Sequence, residues 1–174
     1  MELFFFINKG LHILTAISGV GAATLAEIFY LKAIRDGIVD ESESKELKIT
    51  YKVMRLSLII LIFTGLGMML GWRWELKGPE YFYNPVLLAK FSAILILLLG
   101  VSLMHARKIP IWLGGAISLV SWYGAAGLGK LTEEFFELPF SNKISYLIIM
   151  LGYFVAIVIT AFVLKFIHEK IQKV

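Results

Sequence analysis

Hydrophobic positions in this chain come in long unbroken runs, without the alternation or helical stripe of a soluble fold. Leu56–Leu70 and Val86–Met104 are apolar nearly all round, interrupted mainly by Lys90 and by small residues. A helix with no polar face is one surrounded by apolar material on every side. Crossing a hydrocarbon layer of ~30 Å takes about 20 helical residues. Five runs meet that requirement, at about 4–31, 53–72, 86–106, 110–129 and 144–167. The expected fold is therefore all-α, a single domain forming a polytopic membrane bundle of five transmembrane helices.

The segments between the runs carry their own signals. Ile34–Tyr51 is the longest polar stretch. Asp36-Gly37 marks a turn, and Asp40 or Ser42 can cap a helix starting near Glu41 that feeds into the second span. Its D-G-x-x-D-x-x-E pattern lacks the alternating oxygen ligands and closing spacing of a calcium loop. Gly71–Pro85 gathers Trp72, Trp74, Tyr81, Phe82 and Tyr83 among charged residues, an interfacial aromatic belt, and Pro85 stands where a helix begins. Ala106–Pro110 is short enough to force spans three and four to be antiparallel neighbours. The fourth span is rich in Gly, Ala and Ser, the residues that let helices approach closely in lipid, so it is expected at the centre of the bundle. Its Trp122 and Tyr123 would line a pocket or join the belt. Lys130–Lys143 reads as a short amphipathic helix on the bilayer surface.

Charge orients the chain. With alternating crossings, the 32–55 loop, the 105–110 turn and the C-terminus share one side, which holds 11 of the Lys and Arg residues against 6 on the other. The more basic side is expected in the cytoplasm, placing the N-terminus outside. The net charge of +4 follows this asymmetry, so the expected partner is the lipid bilayer and not nucleic acid. The first run has no basic segment ahead of it and no small-residue cleavage site, and is read as a retained span. The absence of cysteine excludes disulfides and thiolate metal sites, and no metal site is expected.

Ionisable side chains inside spans are costly and so become the leading functional candidates. His12 and Glu27 are fifteen residues apart, as are Lys90 and His105. At ~1.5 Å per residue each pair is separated by roughly 22 Å. Runs one and three cross in the same direction, so His12 and Lys90 fall near one surface and Glu27 and His105 near the other. His12, Thr15, Gly19, Ala22, Ala23 and Ala26 share a small, mildly polar helix face suited to protein or a cofactor. His12 could ligate a haem iron or relay a proton, and Lys90 could bind an anion such as a haem propionate or snorkel to the headgroups. Glu27 could form a proton-handling pair with His105 or a structural ion pair with Arg55 or Lys32. His168, between Ile167 and Glu169, reads as a solvated tail residue.

No nucleotide-binding, hydrolase or zinc-protease signature is present. The segments "LHILTAISGVGAATLAEIFYLKAI", "NPVLLAKFSAILILLLGVSLMHARKIP" and "ISLVSWYGAAGLG" resemble small prokaryotic membrane proteins. They are distantly similar to the group containing CopD-type copper-resistance domains and HemJ-type protoporphyrinogen oxidases. The likeness covers about residues 10–130 and implies a prokaryotic plasma membrane. In the HemJ type, a histidine early in the first span and a lysine early in a later one matter, with haem implicated. His12 and Lys90 occupy matching places in the order. Three readings stay open. One is a haem-associated or redox protein with haem b at His12 and Lys90. Another is a small-solute or proton-coupled transporter, expected as a homo-oligomer, working through Glu27 and His105. The third is an accessory subunit whose polar residues only pair and snorkel.

Overall fold

The computed structural model describes residues 2–35, 40–74, 84–135 and 146–171, with side chains excluded at 72–74 and 130–135. They form five helices: α1 Glu2–Ala33, α2 Glu41–Trp74, α3 Pro85–His105, α4 Ile111–Phe135 and α5 Tyr146–Ile171. All five are long and apolar enough to cross a membrane. Large apolar side chains cover the outside, with Phe63, Leu147 and Phe162 each at least 70% exposed. Such a surface is tolerable only where lipid replaces water.

Helix ends follow local chemistry. The Asp40 carboxylate accepts from the Glu43 backbone N–H at 2.7 Å, while Glu43 Oε2 accepts from the Asp40 N–H at 3.3 Å. This capping box starts a 34-residue helix, so the polar segment and the second span are one continuous α2. Asn84 caps α3 through bonds from the N–H groups of Val86 and Leu87, with Pro85 in the first turn. At the other end of α3 the Lys108 N–H bonds to Leu103 O and the Arg107 N–H to Met104 O. That double closure is a Schellman motif, and it puts Arg107 at φ 56°, a position that favours glycine. Helix α4 extends to Phe135, past the expected end at 129. The aromatic belt residues 75–83 and most of the expected surface helix, 136–143, lie outside the described residues.

Close approach at small residues assembles the bundle. α4 packs on α1, α3 and α5, α1 packs on α2, and α2 and α3 barely touch. Trp122, 2% exposed, lies directly on Gly19, where a Cβ would collide with its ring. Ile117 fills the space over Gly100, and Met104 that over Gly114. These contacts place α1, α3 and α5 antiparallel to α2 and α4, with the chain termini at opposite ends of the bundle. Residues Thr15, Gly19, Ala22, Ala23 and Ala26 are all buried, as the shared face on α1 required.

Polar contacts between helices repeat one device. Ser92, Ser121 and Thr24 each donate their hydroxyl proton to the carbonyl four residues earlier. Each hydroxyl oxygen is then an acceptor, and the phenols of Tyr146, Tyr153 and Tyr123 donate to them at 2.8, 2.6 and 3.0 Å. Every proton finds an oxygen without water, which a hydrocarbon surrounding demands.

Candidate functional site

His12 and Lys90 stand at the end of the bundle where α1 begins. His12 is half-buried on the α1 face toward α2, and its Nδ1 is 2.9 Å from Thr64 Oγ1. Thr64 gives its own proton to the Ile60 carbonyl at 2.7 Å. The His12 Nδ1 must therefore carry the hydrogen, which leaves Nε2 with its lone pair in the neutral ring. Asn8 adds a bond from Nδ2 to Thr64 O at 2.8 Å, locking α1 to α2 one turn earlier. The Lys90 ammonium lies against Gly129 of α4, near enough for its charge to act on the His12 ring. The fold thus brings His12 and Lys90 to one level on different helices.

At the opposite end, Glu27, His105 and Arg55 line a single cleft of about 1100 Å³. Its lining comes from α1, α2, α3 and α4, and in its deep part Met54 and Leu58 of α2 share a packed cluster with Leu97 of α3. Ala26, Leu58, Leu97, Val101 and Trp122 form the deep apolar part. His105 and Arg107 stand where α3 ends and Arg55 lies farther in, near the level of Leu97, all three on exposed positions. Trp122 therefore lines the deep wall of a pocket and is not a belt residue.

Glu27 pairs with neither of its expected neighbours. Its Oε1 is 3.5 Å from Nε2 of His168 on α5, and both side chains are nearly buried. Lys32 reaches Glu46 on α2 instead, at 3.8 Å. Arg55 and His105 share the cleft with Glu27 but make no ion pair with it among the described residues. His168 is 7% exposed and packs its ring at 5.1 Å from that of Tyr30, which corrects its reading as a solvated tail residue. The last turn of α5 tucks against the last turns of α1, so His168 is covered while Glu169 and Lys170 beside it are exposed.

Space for the carboxylate comes from α4. A Cβ on Gly115 would strike Glu27 Oε2, so this glycine makes the notch through which Glu27 reaches from the cleft toward α5. The Glu27–His168 contact does not satisfy hydrogen-bond geometry. Glu27 Oε1, His168 Nε2 and Ser118 Oγ, the last on the cleft wall, are all buried without a hydrogen-bond partner. Buried polar atoms without partners cost ~1–3 kcal/mol each and call for a reason. Among the described residues no three His, Asp or Glu side chains converge as a metal cluster.

Compared with protein-family models, with curated proteins and with solved structures, the chain finds no match.

Proposed function

We propose that the protein is a proton-linked carrier of a small amphipathic solute, which occupies the cleft between α2 and α3. The observation that carries this reading is the set of unpartnered buried atoms at the cleft: Glu27 Oε1, Ser118 Oγ and, behind Glu27, His168 Nε2. Ser118 offers a hydroxyl to a bound solute. Glu27 and His168 can share one proton, and a solute that competes for Glu27 would hand that proton to His168 at the end of α5. The Trp122–Gly19 contact seals the cleft from the other half of the bundle, so this is a form open at one end, as a carrier requires.

The test reconstitutes the protein in vesicles enclosing a pH-reporting dye and imposes a solute gradient from a panel of small organic acids and amines. Solute-driven proton movement that Glu27→Gln abolishes is expected. A panel that moves no protons in the wild type overturns the reading.

A second reading rests on the His12–Thr64 bond. A ligating histidine ordinarily donates its other ring N–H to an oxygen, which fixes the ring and presents the free nitrogen. His12 is held that way, so its Nε2 would take the iron of a haem b and Lys90 a propionate. His105 and His168 stand at the other end of the bundle, so the haem would have one histidine from this chain. A Soret band on adding haem, lost in His12→Ala, supports this reading, and no band in the wild type sinks it.

A further inference from the structure

Contacts between helices fix the depth of each side chain. His12 stands against Thr64, so Arg55, earlier on α2, comes level with the stretch of α1 just past Gly19. Gly19 stands against Trp122 and Gly100 against Ile117, which brings Leu97 of α3 and Ser118 of α4 to within ~5 Å of that level. Arg55 is therefore near the middle of the bundle, about ten residues, or roughly 15 Å, from the level of Arg107. Leu95, Leu98 and Leu99 of α3, exposed at the same depth, are what a lipid-facing surface should show. An arginine among them is out of place unless an anion meets it.

No described carboxylate of the chain does so. A guanidinium keeps its proton, so Arg55 cannot shed its charge as a lysine can. Among the acids whose side chains are described, Glu41 pairs with Lys45, Glu46 with Lys32 and Glu169 with Lys165. Asp40 and Glu43 cap α2, Glu27 is turned toward His168, and Glu2 lies where α1 begins. Arg55 makes no ion pair or side-chain hydrogen bond among the described residues. It lines the cleft, and so does Ser118, which is buried and whose Oγ has no partner. An acidic helix outside the bundle would answer Arg55 and leave the Ser118 hydroxyl unpaired. A small anion inside the cleft has both on its walls.

We propose that the solute of the carrier is a small monocarboxylic acid, bound as its anion by the Arg55 guanidinium in the cleft. The guanidinium fork matches a planar carboxylate through two parallel N–H donors, and one charge answers one charge. A phospholipid phosphate stays at the level of the helix ends, too far away to do this. Carboxylate and proton together are neutral, so the anion on Arg55 is the counterpart of the proton shared by Glu27 and His168. The proposal rests on the carrier reading and adds to it the sign of the solute's charge.

The experiment follows thermal unfolding of the full chain in neutral detergent at constant ionic strength. The probes are straight-chain carboxylates from acetate to hexanoate, each beside the amide and the amine of the same length. Saturable stabilisation by a carboxylate is expected, with none by its amide or amine. Arg55→Gln should weaken that carboxylate by roughly tenfold or more, the worth of hydrogen bonds to a charged group. Lys52→Gln and Arg107→Gln, also at exposed positions, should leave it in place. Arg55→Lys keeps the charge, loses the fork and should bind at intermediate strength, which guards against a fold defect in Arg55→Gln. Carboxylates no better than their amides overturn the proposal, as does stabilisation that survives Arg55→Gln or that Lys52→Gln removes equally. Stabilisation by amines alone also overturns it and leaves a carrier of cations. If no probe acts, the proposal falls and the counter-charge belongs to a neighbouring protein helix. Carboxylate binding through Arg55 in a protein that moves no protons sinks the carrier and keeps the anion site. Proton movement driven by other solutes, without carboxylate binding, does the reverse.

Discussion

Glu27 and Gly115 depend on each other. The carboxylate occupies the volume a side chain on Gly115 would need, whereas its neighbour Gly114 faces the flexible end of Met104. Gly115→Ala is therefore expected to displace Glu27 from His168 and to suppress proton movement nearly as fully as Glu27→Gln. Gly114→Ala, meeting a thioether that can swing away, should leave most of it. Equal effects of the two substitutions, measured on protein with matched thermal stability, would remove the notch from the mechanism. The His12–Thr64 bond makes a second case at this scale. Hydrogen bonds between membrane helices contribute about 0.6 kcal/mol, reaching ~1.7. Thr64→Val keeps the shape and removes the acceptor, so a double-mutant cycle with His12→Ala should return a coupling within that range. A coupling of zero would mean that the ring is held by packing alone.

Helix ends carry the next level of specification. The Schellman closure at the end of α3 ordinarily has glycine at the left-handed position, yet Arg107 stands there at φ 56°. A left-handed L-residue costs about 1–2 kcal/mol, and strain of this kind persists where the side chain is needed. Arg107→Gly is expected to raise the unfolding temperature, because glycine adopts this backbone conformation without the steric cost. An unchanged or lower unfolding temperature would show that the left-handed position costs nothing here. Asp40→Ala tests the opposite case, a cap without other duties. It should cost ~1 kcal/mol and leave proton movement unaltered.

Element by element, the helices were legible because all-round apolarity and length need no knowledge of neighbours. The helix start at Pro85 was legible from local chemistry, as was the cap of α2 down to a choice between Asp40 and Ser42, which the Glu43 N–H bond to Asp40 decides. The partner of Glu27 was not. Arg55 and Lys32 lie near it by helix arithmetic, but Lys32 is taken by Glu46 because the helix that starts at Glu41 runs unbroken into the second span. His168 looked solvated because Glu169 and Lys170 follow it. Its burial depends on α5 ending level with α1, which no local pattern encodes.

The molecule as a whole is asymmetric: Trp122 on Gly19 closes its middle, the Asn8–Thr64–His12 contacts tie the end where α1 begins, and the cleft lies in the other half. Which leaflet the cleft faces follows from the basic residues at its end, among them Lys32, Arg107 and Lys108. These should be retained in the cytoplasm, where the anionic leaflet also lies. The chain has no cysteine, so a single one introduced at Glu2 or at Glu169, both exposed, is a unique reporter. In intact cells an impermeant maleimide should label the cysteine at position 2 and spare that at 169 until the membrane is opened. The reverse pattern would place the cleft in the outer leaflet.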